Sequence, residues 1–198
     1  MRILASLALV SAMTVSAAFA QSAPPPTIKK APELTITEPN GNKIQLSSTK
    51  GKVVVLTFML TTCPHCQRES QMLTKLLKEM GPRGLSVYGV AVNDNAAVLI
   101  PGFISQYEVG FPVGYATPDT LTTFMGFSPM ERWVVPQITV IDRKGMIRAQ
   151  SPFSGDPNLQ TESYMHNLLD VLLKEGATTS KTGTKAPAKS TASNHQNQ

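Results

Sequence analysis

Val53-Val54-Val55-Leu56-Thr57-Phe58-Met59-Leu60 runs directly into Thr61-Thr62-Cys63-Pro64-His65-Cys66. The first eight residues are almost continuously apolar. Such a run predicts a strand buried on both faces, as at the centre of a parallel or mixed sheet. Past Cys66, Met72, Leu73, Leu76, Leu77 and Met80 recur at helical spacing, while Gln71, Lys75, Lys78 and Glu79 fall on the other face. Gly81-Pro82 ends that helix. Two cysteines three residues apart therefore sit where a buried strand gives way to an amphipathic helix.

The position suits thiol chemistry. In the first turn of a helix, residues i and i+3 lie close enough for their sulfurs to bond. The unpaired N–H groups and the positive dipole end favour a thiolate there. Pro64 has no N–H to leave unsatisfied and fits the first turn. His65, when charged, would further stabilise a thiolate at Cys63. A structural disulfide would close a very small loop here and restrict little unfolded-chain entropy. A zinc site normally takes four ligands, and His65, His166 and His195 are not spaced as a finger. Redox chemistry is the expectation, with a structural bridge or a metal site as the competing readings.

Outward from this centre, residues 34–37 and 44–46 flank Pro39-Asn40-Gly41-Asn42, a hairpin signal. Residues 85–92 read as a second buried strand. Residues 96–107 read as a helix interrupted or begun near Pro101. Residues 111–115 read as a short strand. Residues 138–141 and 146–150 flank the turn Asp142-Arg143-Lys144-Gly145 and read as an antiparallel pair. Met165, Leu168, Leu169, Leu172 and Leu173 mark a last helix over 161–174, with Gly176 just past it. Met125 and Met130 fall in a loop, and residues 96–132 receive no role. The order β-α-β-(α)-β-β-α is that of a central sheet with helices on its faces.

The ends read differently. Residues 1–20 form a secretory signal peptide: Arg2, an apolar stretch, then Ala18-Phe19-Ala20 as the cleavage site. The alternative is an uncleaved membrane anchor. Residues 21–31 are a Pro-rich leader and spacer. Residues 32–175 are the folded domain. Residues 176–198 are a basic Ser/Thr/Ala/Lys tail, expected to be disordered because it has too little apolar surface to bury. Among 198 residues the net charge is +5, yet Arg2, Lys181, Lys185 and Lys189 all lie in ends that carry no acid. The basicity is therefore poor evidence for a nucleic-acid face, and no nucleic-acid partner is expected. Export would place Cys63 and Cys66 where disulfides can form and persist.

The strand–Cys63-Pro64-His65-Cys66–helix unit resembles the thioredoxin superfamily. Asn40-Gly41-Asn42-Lys43-Ile44-Gln45-Leu46, Gly51-Lys52-Val53-Val54-Val55-Leu56 and Val135-Pro136-Gln137-Ile138-Thr139-Val140-Ile141-Asp142-Arg143-Lys144-Gly145 narrow the resemblance. Together they are similar to the TlpA/ResA-like exported thiol–disulfide oxidoreductases of the redoxin group. The resemblance implies an α/β thioredoxin-like fold: a central mixed β-sheet flanked by helices, an N-terminal β-hairpin extension, and an insertion before the cis-Pro strand. It implies Cys63 as the exposed nucleophile and Cys66 as the buried resolving thiol. Pro136 matches the family's cis-proline, and its loop with Val135 would face the cysteines and pair with substrate backbone. Glu69 matches a glutamate that could take the Cys66 proton. An acid stabilising the first helical turn is the alternative reading of that position.

Two features depart from the family pattern. Thr62 replaces the tryptophan that many members place before the first cysteine, and Trp133 either lines the site or packs in the core. Pro64-His65 is the dipeptide of DsbA-like oxidases, which opens the direction of electron flow. The resemblance implies no organic cofactor and no metal. Its partners would be exported proteins carrying disulfides or dithiols, with a membrane redox protein to recycle the cysteine pair, in the periplasm or an equivalent space. The functional alternatives are a DsbA-like oxidase, a peroxiredoxin-like peroxidase and a copper chaperone. Leu60 stands where peroxiredoxins have threonine, and a chaperone would need His166 as its distant ligand.

Overall fold

The computed structural model describes residues 29–175. The signal segment, most of the leader and the basic tail lie outside the described residues. The strands are β1 (Lys29–Lys30), β2 (Thr35–Thr37), β3 (Lys43–Gln45), β4 (Val53–Met59), β5 (Leu85–Ala91), β6 (Val113–Tyr115), β7 (Gln137–Ile141) and β8 (Met146–Gln150). The helices are α1 (Pro64–Met80), α2 (Ala96–Gln106), α3 (Pro118–Met125) and α4 (Glu162–Glu175). The eight strands form one sheet in the order β1-β8-β7-β4-β5-β6-β2-β3. Pairs β4–β5 and β5–β6 are parallel and the other pairs are antiparallel. The sheet is thus mixed, with the β2–β3 hairpin added at one edge, as expected.

β4 occupies the middle, and all seven of its residues are buried. Its alternation divides the core. Val53, Val55 and Met59 join Leu73, Leu76 and Met80 of α1, Ile100 and Phe103 of α2, and Met165, Leu169 and Leu172 of α4. Val54, Leu56 and Phe58 join Ile36, Ile141 and the α3 residues Leu121, Phe124 and Met125. Phe58 and Phe124 meet at a centroid distance of 5.5 Å. A strand covered on both sides has no polar face to show, which is why its sequence lacks alternation.

Three elements differ from the sequence reading. α3 lies in the stretch read as loop, and Met125 is its buried last residue. Thr117 caps it, accepting from Thr120 N–H at 3.2 Å, Asp119 sits in its first turn, and Gly126 closes it with φ +74°. α2 continues through Pro101 without a break, although the proline has no N–H to donate to the Ala97 carbonyl. β1 falls in the segment read as leader; its two exposed lysines are held through backbone pairing with Ile147 and Met146. A β-bulge in β8 after Ile147 interrupts the register at that point.

At the end of β4 remote from the cysteines, Arg143 donates to Gly51 O at 2.7 Å and Arg83 O at 2.8 Å. It ties the turn after β7 to the entry of β4. In β6, a Cβ at Gly114 would stand 2.5 Å from Thr37 O and 2.5 Å from Ile36 Cγ2. Only glycine lets β2 lie against β6 so closely. Gly114→Ala is expected to cost about 1–3 kcal/mol or more, because the obstacle is backbone. Urea unfolding of the purified variant measures it, and an unchanged midpoint would contradict the close approach.

Candidate active site

The last residues of β4 deliver the chain to the edge of the sheet, where α1 begins. Cys63 is the N-cap of α1, with extended backbone (φ −82°, ψ 120°), and Pro64 opens the helix. The intervening loop is pinned from β5: Asn93 Oδ1 accepts from Thr61 N–H at 2.9 Å and from the Thr61 hydroxyl at 3.3 Å. Gln67 Nε2 donates to Thr61 O at 3.2 Å. Neither Asn93 nor Gln67 stood out in the sequence, since a single amide in a loop or on a helix carries no pattern.

Both cysteines are free thiols, Cys63 half-exposed and Cys66 fully buried. The two interact directly. The Cys63 thiol points at Val135 O across 3.9 Å. The Val135–Pro136 peptide bond next to this contact is cis. Pro64 and His65 are exposed, and Arg68 donates to His65 Nδ1 at 3.0 Å, which fixes that nitrogen as an acceptor. Trp133 is partly buried and packs against the core cluster that includes Phe58 and Phe124. Packing, of the two readings, is its observed role.

Glu69 is the sixth residue of α1, and the first turn holds no acid. Its side chain is 4% exposed. The alternative reading of Glu69, an acid stabilising the first helical turn, does not fit: the residue lies past that turn and is buried with Cys66. Burial pushes its carboxyl up to about 8. Neither Thr57 Oγ1 nor Glu69 Oε1 has a hydrogen-bond partner among the described residues. Burial also pushes the Cys66 thiol far above its ordinary value. The Leu60 backbone partly opposes that, while Cys63 and Glu69 add to it. In both groups desolvation of the charged form dominates.

The described residues contain no group of three or more His, Cys, Asp or Glu able to hold a metal ion. His166 pairs with Glu79 at 2.9 Å. Glu79 lies thirteen residues beyond Cys66 on α1, roughly 20 Å at 1.5 Å per residue. His166 therefore cannot join the cysteines on one ion.

A family model described as the AhpC/TSA family matches residues 28–150. The chain belongs to the AhpC/TSA family. Among its curated relatives, the thiol-disulfide oxidoreductase ResA of Bacillus subtilis (strain 168) is 28% identical over 148 residues, 75% of this chain and 76% of that protein. ResA of Bacillus anthracis is 28% identical over 122 residues, 62% and 67% of the two chains. A thiol:disulfide interchange protein of the thioredoxin family from Chlorobium tepidum TLS superposes with a TM-score of 0.62. It is 23% identical and covers 77% of this chain and 99% of its own. A thiol:disulfide interchange protein from Bacteroides sp. gives 0.59 at 20% identity, covering 75% and 90%. The fold is thioredoxin-like, and this AhpC/TSA member is a thiol–disulfide oxidoreductase of the TlpA/ResA-like kind.

Glu69 links the site to stability. In the unfolded chain its carboxyl loses its proton near the usual 4.5; in the folded protein it keeps it until about 8. Between these values the folded form binds more protons. The contribution is full below pH 4.5 and is lost as pH rises through 8. Glu69→Gln should remove this slope, on the order of a few kcal/mol across the window. Urea titrations at several pH values test it; parallel profiles for the two proteins would contradict the burial of an ionisable carboxyl.

Proposed function

We propose that the protein is an exported reductant and exchanger of protein disulfides, acting in the cell envelope through Cys63 and Cys66. The observation that carries this reading is one half-exposed thiol above one fully buried thiol, with a buried carboxyl beside the second.

The Cys63 thiolate attacks one sulfur of a partner disulfide. A mixed disulfide forms, and the partner's other sulfur leaves as a thiolate and takes a proton. The partner backbone lies along the Val135–Pro136 loop. Cys66 then gives its proton to Glu69 in the fraction of molecules whose buried carboxyl, raised to about 8, is ionised, and attacks Cys63 Sγ. The partner's second thiolate departs and is protonated, leaving the partner reduced by two electrons and Cys63–Cys66 oxidised. Pro64 and His65 shape the exposed turn around Cys63.

The reducing direction is read from the resemblance to the TlpA/ResA-like group. A strong oxidant of this class holds its reduced form stable. That stabilisation would act on a thiolate at Cys63, whereas the burial of Cys66 bears on the resolving step. The second reading, an oxidase, has Pro64-His65 in its favour, the dipeptide lying in the exposed turn beside Cys63. Export rests on residues 1–20, whose pattern is that of a cleaved signal. Recycling then calls for a membrane redox partner facing the same compartment, and the partners are exported proteins carrying disulfides or dithiols.

Cys63→Ser is expected to abolish exchange with insulin disulfides. Cys66→Ser should accumulate a mixed disulfide at Cys63, visible as a mass adduct that dithiothreitol removes. Retained activity in Cys63→Ser would overturn the assignment of the nucleophile.

A further inference from the structure

Gln137 is the first residue of β7, and it is fully buried in a strand that is otherwise apolar apart from Thr139. Its amide reaches back over the cis peptide. Nε2 donates to Val134 O at 2.9 Å and to Phe153 O at 3.2 Å. Both partners are carbonyls, so the nitrogen alone can occupy this position. Val134 N–H also donates to Phe153 O, at 3.0 Å. One side chain and one backbone bond thus join two loops: the segment ahead of Pro136, and the segment between β8 and α4.

These loops carry exposed apolar side chains, Val134 at 48% and Phe153 at 42% exposure. The residue between the clamp and the cis-proline is Val135, whose carbonyl faces Cys63 Sγ. Meanwhile Gln137 Oε1 is buried and has no hydrogen-bond partner among the described residues. An unpaired amide oxygen is costly, and an apolar side chain would fill the same space without that cost. The amide's two donor bonds to the loops are what sets it apart from such a side chain.

We propose that Gln137 is a positioning residue for docking: it holds the Val134–Val135 and Phe153 loops as one preformed rim on which a partner's disulfide-bearing segment settles. The inference rests on the exchange reaction proposed above and adds a determinant of partner affinity. A preformed rim spares the partner the ordering of two loops. Its loss should therefore appear in KM for a protein disulfide, not in the chemistry at sulfur.

The test compares wild type with Gln137→Met, which keeps length and volume without a donor, and Gln137→Glu, which keeps the shape and one donor when protonated. Thr139→Val, equally buried in β7, controls for destabilisation. Each is assayed for reduction of insulin and for reaction with the small disulfide 5,5′-dithiobis(2-nitrobenzoate), with folding checked by circular dichroism. For Gln137→Met the expected result is a KM for insulin raised about tenfold, with kcat and the small-disulfide rate within about twofold. Gln137→Glu should approach wild-type KM at low pH and lose affinity as its carboxyl ionises against the two carbonyls. Thr139→Val should leave KM unchanged. An unchanged KM in folded Gln137→Met overturns the proposal, as does a parallel fall in both reactions. A KM rise equal to that of Thr139→Val also overturns it. If Gln137→Met fails to fold, a pH-independent KM in Gln137→Glu overturns it. Failure of the underlying exchange reaction shows separately, as activity retained in Cys63→Ser.

Discussion

Two acids, the Cys66 thiol and the Glu69 carboxyl, are removed from water on the inner face of α1, where neither can easily carry charge. The rest of the site is organised around that constraint. β4 is buried on both faces, so the helix that follows it must turn one side into the core. Cys66 and Glu69 lie three residues apart on that side, and Cys63, at the cap, remains within reach of solvent. One thiol can meet a partner while the other waits protonated. In the proposed exchange the Cys66 proton must leave before the resolving attack, and the buried Glu69 carboxyl is the neighbouring group placed to take it once ionised.

The cysteine pair, the central strand and the helix after it were legible in the sequence, since each depends on local pattern. So was the edge hairpin, through Asn40-Gly41-Asn42. α3 was equally signalled by Thr117, Pro118, Asp119 and Gly126, yet eight residues hold too few helical repeats to stand out. β1 had no signal at all, because two lysines pair there through backbone alone. Among the site residues, Glu69 was visible as a position but not as an environment. Its burial follows from the direction α1 takes across the sheet, which spacing does not reveal. Asn93 and Gln137 were missed because each acts through single amide bonds to backbone atoms far away in sequence or across a turn.

The alternatives separate on geometry rather than on fold, because one scaffold hosts several chemistries. A metal carrier would bring His166 to the cysteines, and its pairing with Glu79 holds it far along α1. A peroxidase would rely on a lone reactive thiol prepared by its neighbours; here a second thiol lies directly behind the first. The AhpC/TSA match is common ground for these readings, and the paired thiols over a buried carboxyl favour exchange.

The balance between dithiol and disulfide in the Cys63–Cys66 pair decides which way electrons flow. The proposed role, electron donation, requires a reducing Cys63–Cys66 couple. The reduction potential of Cys63–Cys66, measured by equilibration with defined dithiol buffers at pH 7, tests this most directly. The account predicts a value near thioredoxin's, about −270 mV, and a value near DsbA's, about −120 mV, would contradict it.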